Sequence, residues 1–178
     1  MATGPITLRL ATRADLPALG VLIDAAITTH LAAVLTPAQV AASHAIMGLD
    51  TQLIDDGCYF LAELDGALAG CGGWSHRATL YGGDHSLGRA PALLDPARDA
   101  ARIRAMYTAP AVARRGVGRA ILHAAEEAAR AAGFKRAELV ATLSGLPLYE
   151  AFGYQKVEEV IDRSGGAPVP LVRMGRAL

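Results

Sequence analysis

The chain has 178 residues, enough for one domain with a sizeable core, and its 52% hydrophobic content against 19% charged excludes a disordered chain. Lysine plus arginine and aspartate plus glutamate number 17 each, so the net charge is zero. That balance argues against a nucleic-acid partner, which calls for a basic face to neutralise phosphates.

In chain order, ITLRLA (residues 6–11) alternates and predicts a first strand. TRADLPALGVLIDAAI predicts a helix, with Thr12 or Asp15 as N-cap and Leu16, Leu19, Ile23 and Ile27 at helical spacing. TPAQVAASHAIM predicts a second helix, capped by Thr36 with Pro37 at its first position. Its pattern runs on or restarts through LDTQLIDDG, ending at Gly57. No run reads as long and apolar enough to cross a bilayer, and an arginine interrupts the start where a signal peptide carries its apolar region. No membrane partner and a cytoplasmic location are therefore expected. Cys58 and Cys71 form no C-x-x-C motif and read as buried free thiols; the histidines show no ligand spacing with them, so no metal is expected.

CYFLAEL and ALAGCGGW flank Asp65-Gly66, a pair suited to the type I′ turn of a hairpin. Residues 75–99 lose periodicity, and such long excursions in compact domains are usually functional or mobile. The charged residues Asp95, Arg98, Asp99, Arg102 and Arg104 read as a solvated cluster, with Arg102 and Arg104 alternating on the next strand. That strand, ARIRAMYT, stops at Ala109-Pro110, and VGRAILHAAEEAARAAG is the clearest helix, ended by Gly133. RAELVAT predicts a strand, LPLYEAFG a short helix, YQKVEEV a strand, and GGAPVPLVRMGRAL a turn and a last strand. A hairpin plus a central βαβ unit give an α/β (α+β) class with a mixed sheet, in a single domain over residues 1–178.

ARRGVGRAIL (residues 113–122) places Gly116 and Gly118 between that strand and helix, where first-turn amides lack intrahelical partners. Those amides and the helix dipole can hold an anion, and Arg114, Arg115 and Arg119 add positive charge. The stretch is not a P-loop, because Arg119-Ala120 follows the second glycine. Nor is it a dinucleotide fingerprint, because Ile121 stands where the third glycine belongs. On the turn alone, an anion cradle and a glycine-assisted entrance to a surface helix remain open.

With IRAMYTAP before it and PLYEAFGY (residues 147–154) after it, the stretch resembles the acyl-CoA-binding core of the GNAT superfamily of N-acetyltransferases. The order of hairpin and N-terminal helices matches as well. The resemblance implies the GNAT fold: a mostly antiparallel sheet of about six or seven strands flanked by about four helices. It implies acetyl-CoA as co-substrate and an amine acceptor, by direct attack in a ternary complex. Met106, Tyr107 and Thr108 would then offer main-chain groups to the acetyl-pantetheine arm. Arg114, Arg115, Gly116, Val117, Gly118 and Arg119 would wrap the pyrophosphate, and Ser144 would contact the CoA arm. The loop's first position is Ala113 rather than Gln or Arg, which removes a side-chain contact and leaves the amides.

Tyr149 resembles the family tyrosine that protonates the departing CoA sulfur. A phenol with pKa near ~10 remains protonated at neutral pH and suits a thiolate whose acid has pKa near ~8.5. No general base is assigned: Glu63, His76, Asp84, His85 and Glu138 each read more readily as surface groups. Residues 72–86 leave a strand beside the acetyl site, so Trp74, His76 and Tyr81 are expected to shape the acceptor pocket. Their character, with Asp84 as the one nearby acid, favours a small, partly apolar acceptor over a polycation. The alternatives are a non-catalytic acyl-CoA sensor and a transferase of longer acyl groups. Homodimers are common in the resembled family, and nothing in the sequence fixes such a surface.

Overall fold

The computed structural model of the chain describes residues 4–178. Its seven strands are β1 (Ile6–Leu10), β2 (Tyr59–Leu64), β3 (Ala67–Ser75), β4 (Ala101–Thr108), β5 (Arg136–Thr142), β6 (Gln155–Asp162) and β7 (Val169–Ala177). They form one sheet in the order β1-β2-β3-β4-β5-β7-β6, antiparallel everywhere except between β4 and β5. The α-helices are α1 (Leu16–Ala32), α2 (Pro37–Ile46), α3 (Thr51–Asp55), α4 (Val117–Ala131) and α5 (Leu146–Ala151). The expected α/β architecture with a mixed, mostly antiparallel sheet is thus the one observed.

Local chemistry sets the helix boundaries. Thr36 Oγ1 accepts from the Gln39 amide while the Gln39 side chain accepts from the Thr36 amide, a reciprocal cap for α2. The backbone turns extended at Met47, so the helical pattern restarts as α3 instead of running on. At Asp65 and Gly66 φ is 54° and 78°, as a type I′ turn requires.

The stretch Arg13–Ala32 is helical and reaches the length and apolar composition of a membrane span, which corrects the expectation that no run does. In the fold that apolarity is used for packing. Leu19, Ile23 and Ile27 of α1, with Leu53 of α3, cover Leu61 and Cys71 on one face of the sheet. Ala42 and Ile46 of α2 extend this layer over Val169 and Leu171 of β7. Ile121, Leu122, Ala125 and Ala129 of α4 bury against the opposite face. Each fully buried Leu or Ile contributes about 1.5–3 kcal/mol of transfer free energy.

Two irregularities in β4 position the site. Gly73 pairs with Arg104 but Cys71 pairs with Tyr107, so β4 carries one extra residue, a bulge with Ala105 at φ 51°. The Tyr59 hydroxyl donates to the Ala105 carbonyl at 2.8 Å and holds the bulge in place. As a result Ile103 and Met106 pack toward α4, whereas Arg104 and Tyr107 turn to the other face. Secondly, β4 pairs with β5 only at Ala101↔Ala137 and Arg102↔Glu138, beyond which the two strands diverge.

Candidate active site

The gap between the diverging C-terminal ends of parallel β4 and β5 is where open α/β sheets bind ligands. A pocket opens there, floored by Arg104, Met106 and Tyr107 of β4, with Val140 and Thr142 of β5. Tyr149 of α5, Leu171 of β7 and Tyr81 of the long loop close its sides.

Tyr149 is buried, with its ring edge-on to Tyr154 at 5.9 Å. The Tyr154 hydroxyl donates to buried Glu126 of α4 at 2.9 Å, fixing the aromatic pair against the helix. Gly145 leaves room for the ring, since a Cβ there would lie 3.2 Å from Tyr149 Cε2. Burial pushes the Tyr149 phenol well above its usual range, so it remains protonated.

Beside the pocket, α4 begins directly after Gly116, whose φ of 87° suits glycine. Arg114 holds φ 62° without being glycine, a conformation that costs roughly 1–2 kcal/mol. The Arg115 amide bonds the Val112 carbonyl, whereas the first-turn amides of α4, residues 117–119, precede the first intrahelical bond, from the Ala120 amide to the Gly116 carbonyl. Gly118 sits between strand and helix ends: a Cβ there would lie 3.2 Å from Leu148 Cδ2 and 3.6 Å from Thr108 Oγ1. The Arg119 guanidinium stacks over Phe152 at 5.5 Å, and Arg114 and Arg115 are exposed.

The fold that carries this gap has known counterparts. The family model of the acetyltransferase (GNAT) family matches residues 29–154. The chain belongs to that family. A GCN5-related N-acetyltransferase structure from Rhodopseudomonas palustris superposes with a TM-score of 0.73 at 19% identity, covering 100% of this chain and 99% of that one. PaiA N-acetyltransferase from Thermoplasma acidophilum, solved with coenzyme A, gives 0.65 at 13% identity over 98% and 99%. YncA from Salmonella typhimurium, solved with its cofactor acetyl-CoA, gives 0.64 at 19% identity over 97% and 94%. At these identities the likeness speaks for the fold. No curated protein matched the chain. Family and fold together make this protein a GNAT-type acetyltransferase.

Within this GNAT domain the structure sorts the sequence-derived site residues. Met106, Tyr107, Tyr149 and Tyr81 meet at the pocket. Thr108 lies at its outer end, where its carbonyl accepts from His30 Nε2 at 2.9 Å. Ser144 bonds Thr142 Oγ1 at 3.1 Å, and it is Thr142 that lines the pocket. Trp74 and His76 are corrections. Gly70, Gly72 and Trp74 share one face of β3 by two-residue alternation, and that face looks at α4. Trp74 is therefore core, edge-on to Phe134 at 6.0 Å, and His76 lies beside it, 4.0 Å from Asp56.

The base candidates also have partners outside the pocket. Glu63 holds Arg9, Asp84 accepts from the Thr51 amide, and Glu138 holds both Arg102 and Arg173. His85 pairs through Nε2 with the His44 carbonyl.

Arg104 is a further correction: it is buried, not solvated. Its Nη2 donates to fully buried Asp50 at 2.5 Å and to the Gly82 carbonyl at 2.6 Å, and Nη1 donates to Thr79 at 3.3 Å. Arg89 donates to the other Asp50 oxygen at 3.0 Å. These bonds, with Tyr81 donating to Asp162 at 2.8 Å, pin the loop as a fixed wall of the pocket. Its sequence signal was the alternation of Arg102 and Arg104 on a strand; Asp50, 54 positions away, carried none.

Proposed function

We propose that this GNAT enzyme transfers acetyl from acetyl-CoA to the primary amine of a small molecule by direct attack in a ternary complex. The observation that carries this reading is the splay of β4 from β5, with the Tyr149 phenol on one side of the gap and the α4 N-terminus beside it.

The residues present fit CoA. Amides of residues 117–119 and the positive end of α4 suit a pyrophosphate, with Arg114, Arg115 and Arg119 as electrostatic support. Gly118 lets the backbone approach an anion closely, and any side chain there would press on Leu148 Cδ2, 3.2 Å from the Cβ position. Along β4, Met106 to Thr108 lie past the last pairing with β5, and their main-chain groups on that side suit an extended pantetheine arm. Ser144, already bonded to Thr142, would reach the same arm. The co-substrate supplies an activated acetyl thioester. The Tyr149 phenol, kept protonated by burial, supplies a proton to the departing thiolate. Tyr81 contributes to the acceptor side. Free, buried Cys58 and Cys71 accord with the reducing, cytoplasmic setting expected from the sequence.

The test is thiol release from acetyl-CoA across a panel of amines, alongside calorimetric titration of CoA. Amine-dependent release supports the transferase; tight CoA binding with no release from any amine would show a sensor instead.

A further inference from the structure

The pocket has an unusual wall for a site that must deprotonate an amine. Among the described residues its polar lining consists of Arg104, the phenols of Tyr81, Tyr107 and Tyr149, and Thr142; the rest is apolar or small, including Met47 and Leu80. None of these accepts a proton near neutrality. Arg104 is a permanent cation. Burial holds Tyr107 and Tyr149 in the phenol form, and burial with Asp162 raises Tyr81 to about 12.

The nearest carboxylates stand behind the wall with both oxygens engaged. Asp50 is held by Arg104 and Arg89, at 2.5 and 3.0 Å. Asp162 accepts from Tyr81 and from the amide and hydroxyl of Ser164, at 2.8, 2.8 and 2.6 Å. An alkylammonium entering here would lose its hydration opposite a guanidinium and find no group to take its proton. A neutral amine meets neither obstacle, and three aromatic rings offer it a surface.

We infer that the acceptor is a weakly basic, flat amine, of the arylamine or arylhydrazine class, which enters the pocket uncharged. This rests on the transferase reading of the same pocket. Delocalisation of its lone pair leaves such an amine unprotonated at neutral pH. The nitrogen attacks the acetyl carbon; the N–C bond forms, the C–S bond breaks, and the sulfur takes the Tyr149 proton. The acylated nitrogen sheds its own proton, which restores the phenol. The products are an aryl amide and a free thiol, and the balance needs no separate base.

The experiment compares p-toluidine with benzylamine, near-isosteres that are respectively neutral and protonated at neutral pH, by thiol release from acetyl-CoA. The expected result is a kcat/KM about tenfold or more higher for p-toluidine. Equal or better use of benzylamine, or silence toward p-toluidine while spermidine or another alkylamine is acetylated, overturns the inference and leaves the transferase standing. Silence toward every amine overturns the transferase reading itself. A second arm places a carboxylate in the wall with Leu80→Glu, its fold checked by Tm. The preference should move toward benzylamine by about tenfold, and an unchanged ratio counts against the inference.

Discussion

At the scale of single residues, Tyr149 carries the chemical claim. In the proposed mechanism it is the phenol left for proton transfer, since Tyr154 is committed to Glu126 and Tyr81 to Asp162. Tyr149→Phe keeps the ring that packs on Tyr154 and removes only the proton. Turnover should fall about 100-fold or more, the scale of a lost general acid, while acetyl-CoA affinity by calorimetry stays within about twofold. Full activity in the variant would return Tyr149 to a packing role. The sign of its shift gives a second expectation. A pKa raised by burial keeps the acid form populated through the alkaline range, so kcat should not decline as pH rises from neutral toward about 10. A fall within that window would point to another titrating group.

Among the elements, the start of α4 offers a test that separates binding from folding. Gly118→Glu adds a carboxylate in the first turn, where the helix dipole favours negative charge, so α4 itself should not be weakened electrostatically. The side chain must displace Leu148 Cδ2 at 3.2 Å and then lies where an anion would sit. CoA affinity should drop by about 100-fold or more with a modest change in Tm. Unchanged affinity would remove the pyrophosphate assignment. The same helix shows what the sequence discloses. Its apolar stripe at Ile121, Leu122, Ala125 and Ala129 and the glycines before it were readable because they are local. Trp74 was not, because β3 is buried on both faces and GCGGW offers no polar residue to mark the alternation. Arg104 escaped for a different reason: burial of a charge depends on a partner, and Asp50 reaches it only across the chain fold. Arg104→Met would strand Asp50 with Arg89 alone and free the Thr79 and Gly82 carbonyls. We expect about 3–5 kcal/mol of destabilisation by urea unfolding, and a raised acceptor KM in whatever folded enzyme remains.

At the scale of the molecule, the pocket is assembled by long-range ion pairs that hold the 76–99 loop against the helical layer. The first of these is Asp56, at the end of α3, which accepts from Arg77 Nε and Nη2 at 2.6 and 2.8 Å. The Arg77 hydrogen bonds hold the Asp56 carboxyl below its ordinary value. Because the folded-state pKa lies below the unfolded one, near ~3.9, the pair stabilises the fold in full above that value. The contribution is then lost as pH falls through the folded pKa. Asp15, held down by Arg9, follows the same sign, so the acid limb of stability draws on both carboxylates. Asp56 is the more telling of the two, because it ties down the loop that walls the pocket. Asp56→Asn should lower stability at neutral pH by about 1.5–3 kcal/mol, the worth of charged hydrogen bonds in a part-buried position. It should also flatten the dependence of the urea midpoint on pH below about 4, so that variant and parent converge in acid. A deficit that stayed constant to the lowest pH would assign the loss to packing around Gln52 and Arg77 instead of to the carboxylate charge. Convergence, accompanied by a higher acceptor KM at neutral pH with unchanged CoA affinity, would show that the charge pair orders the loop on the acceptor side alone.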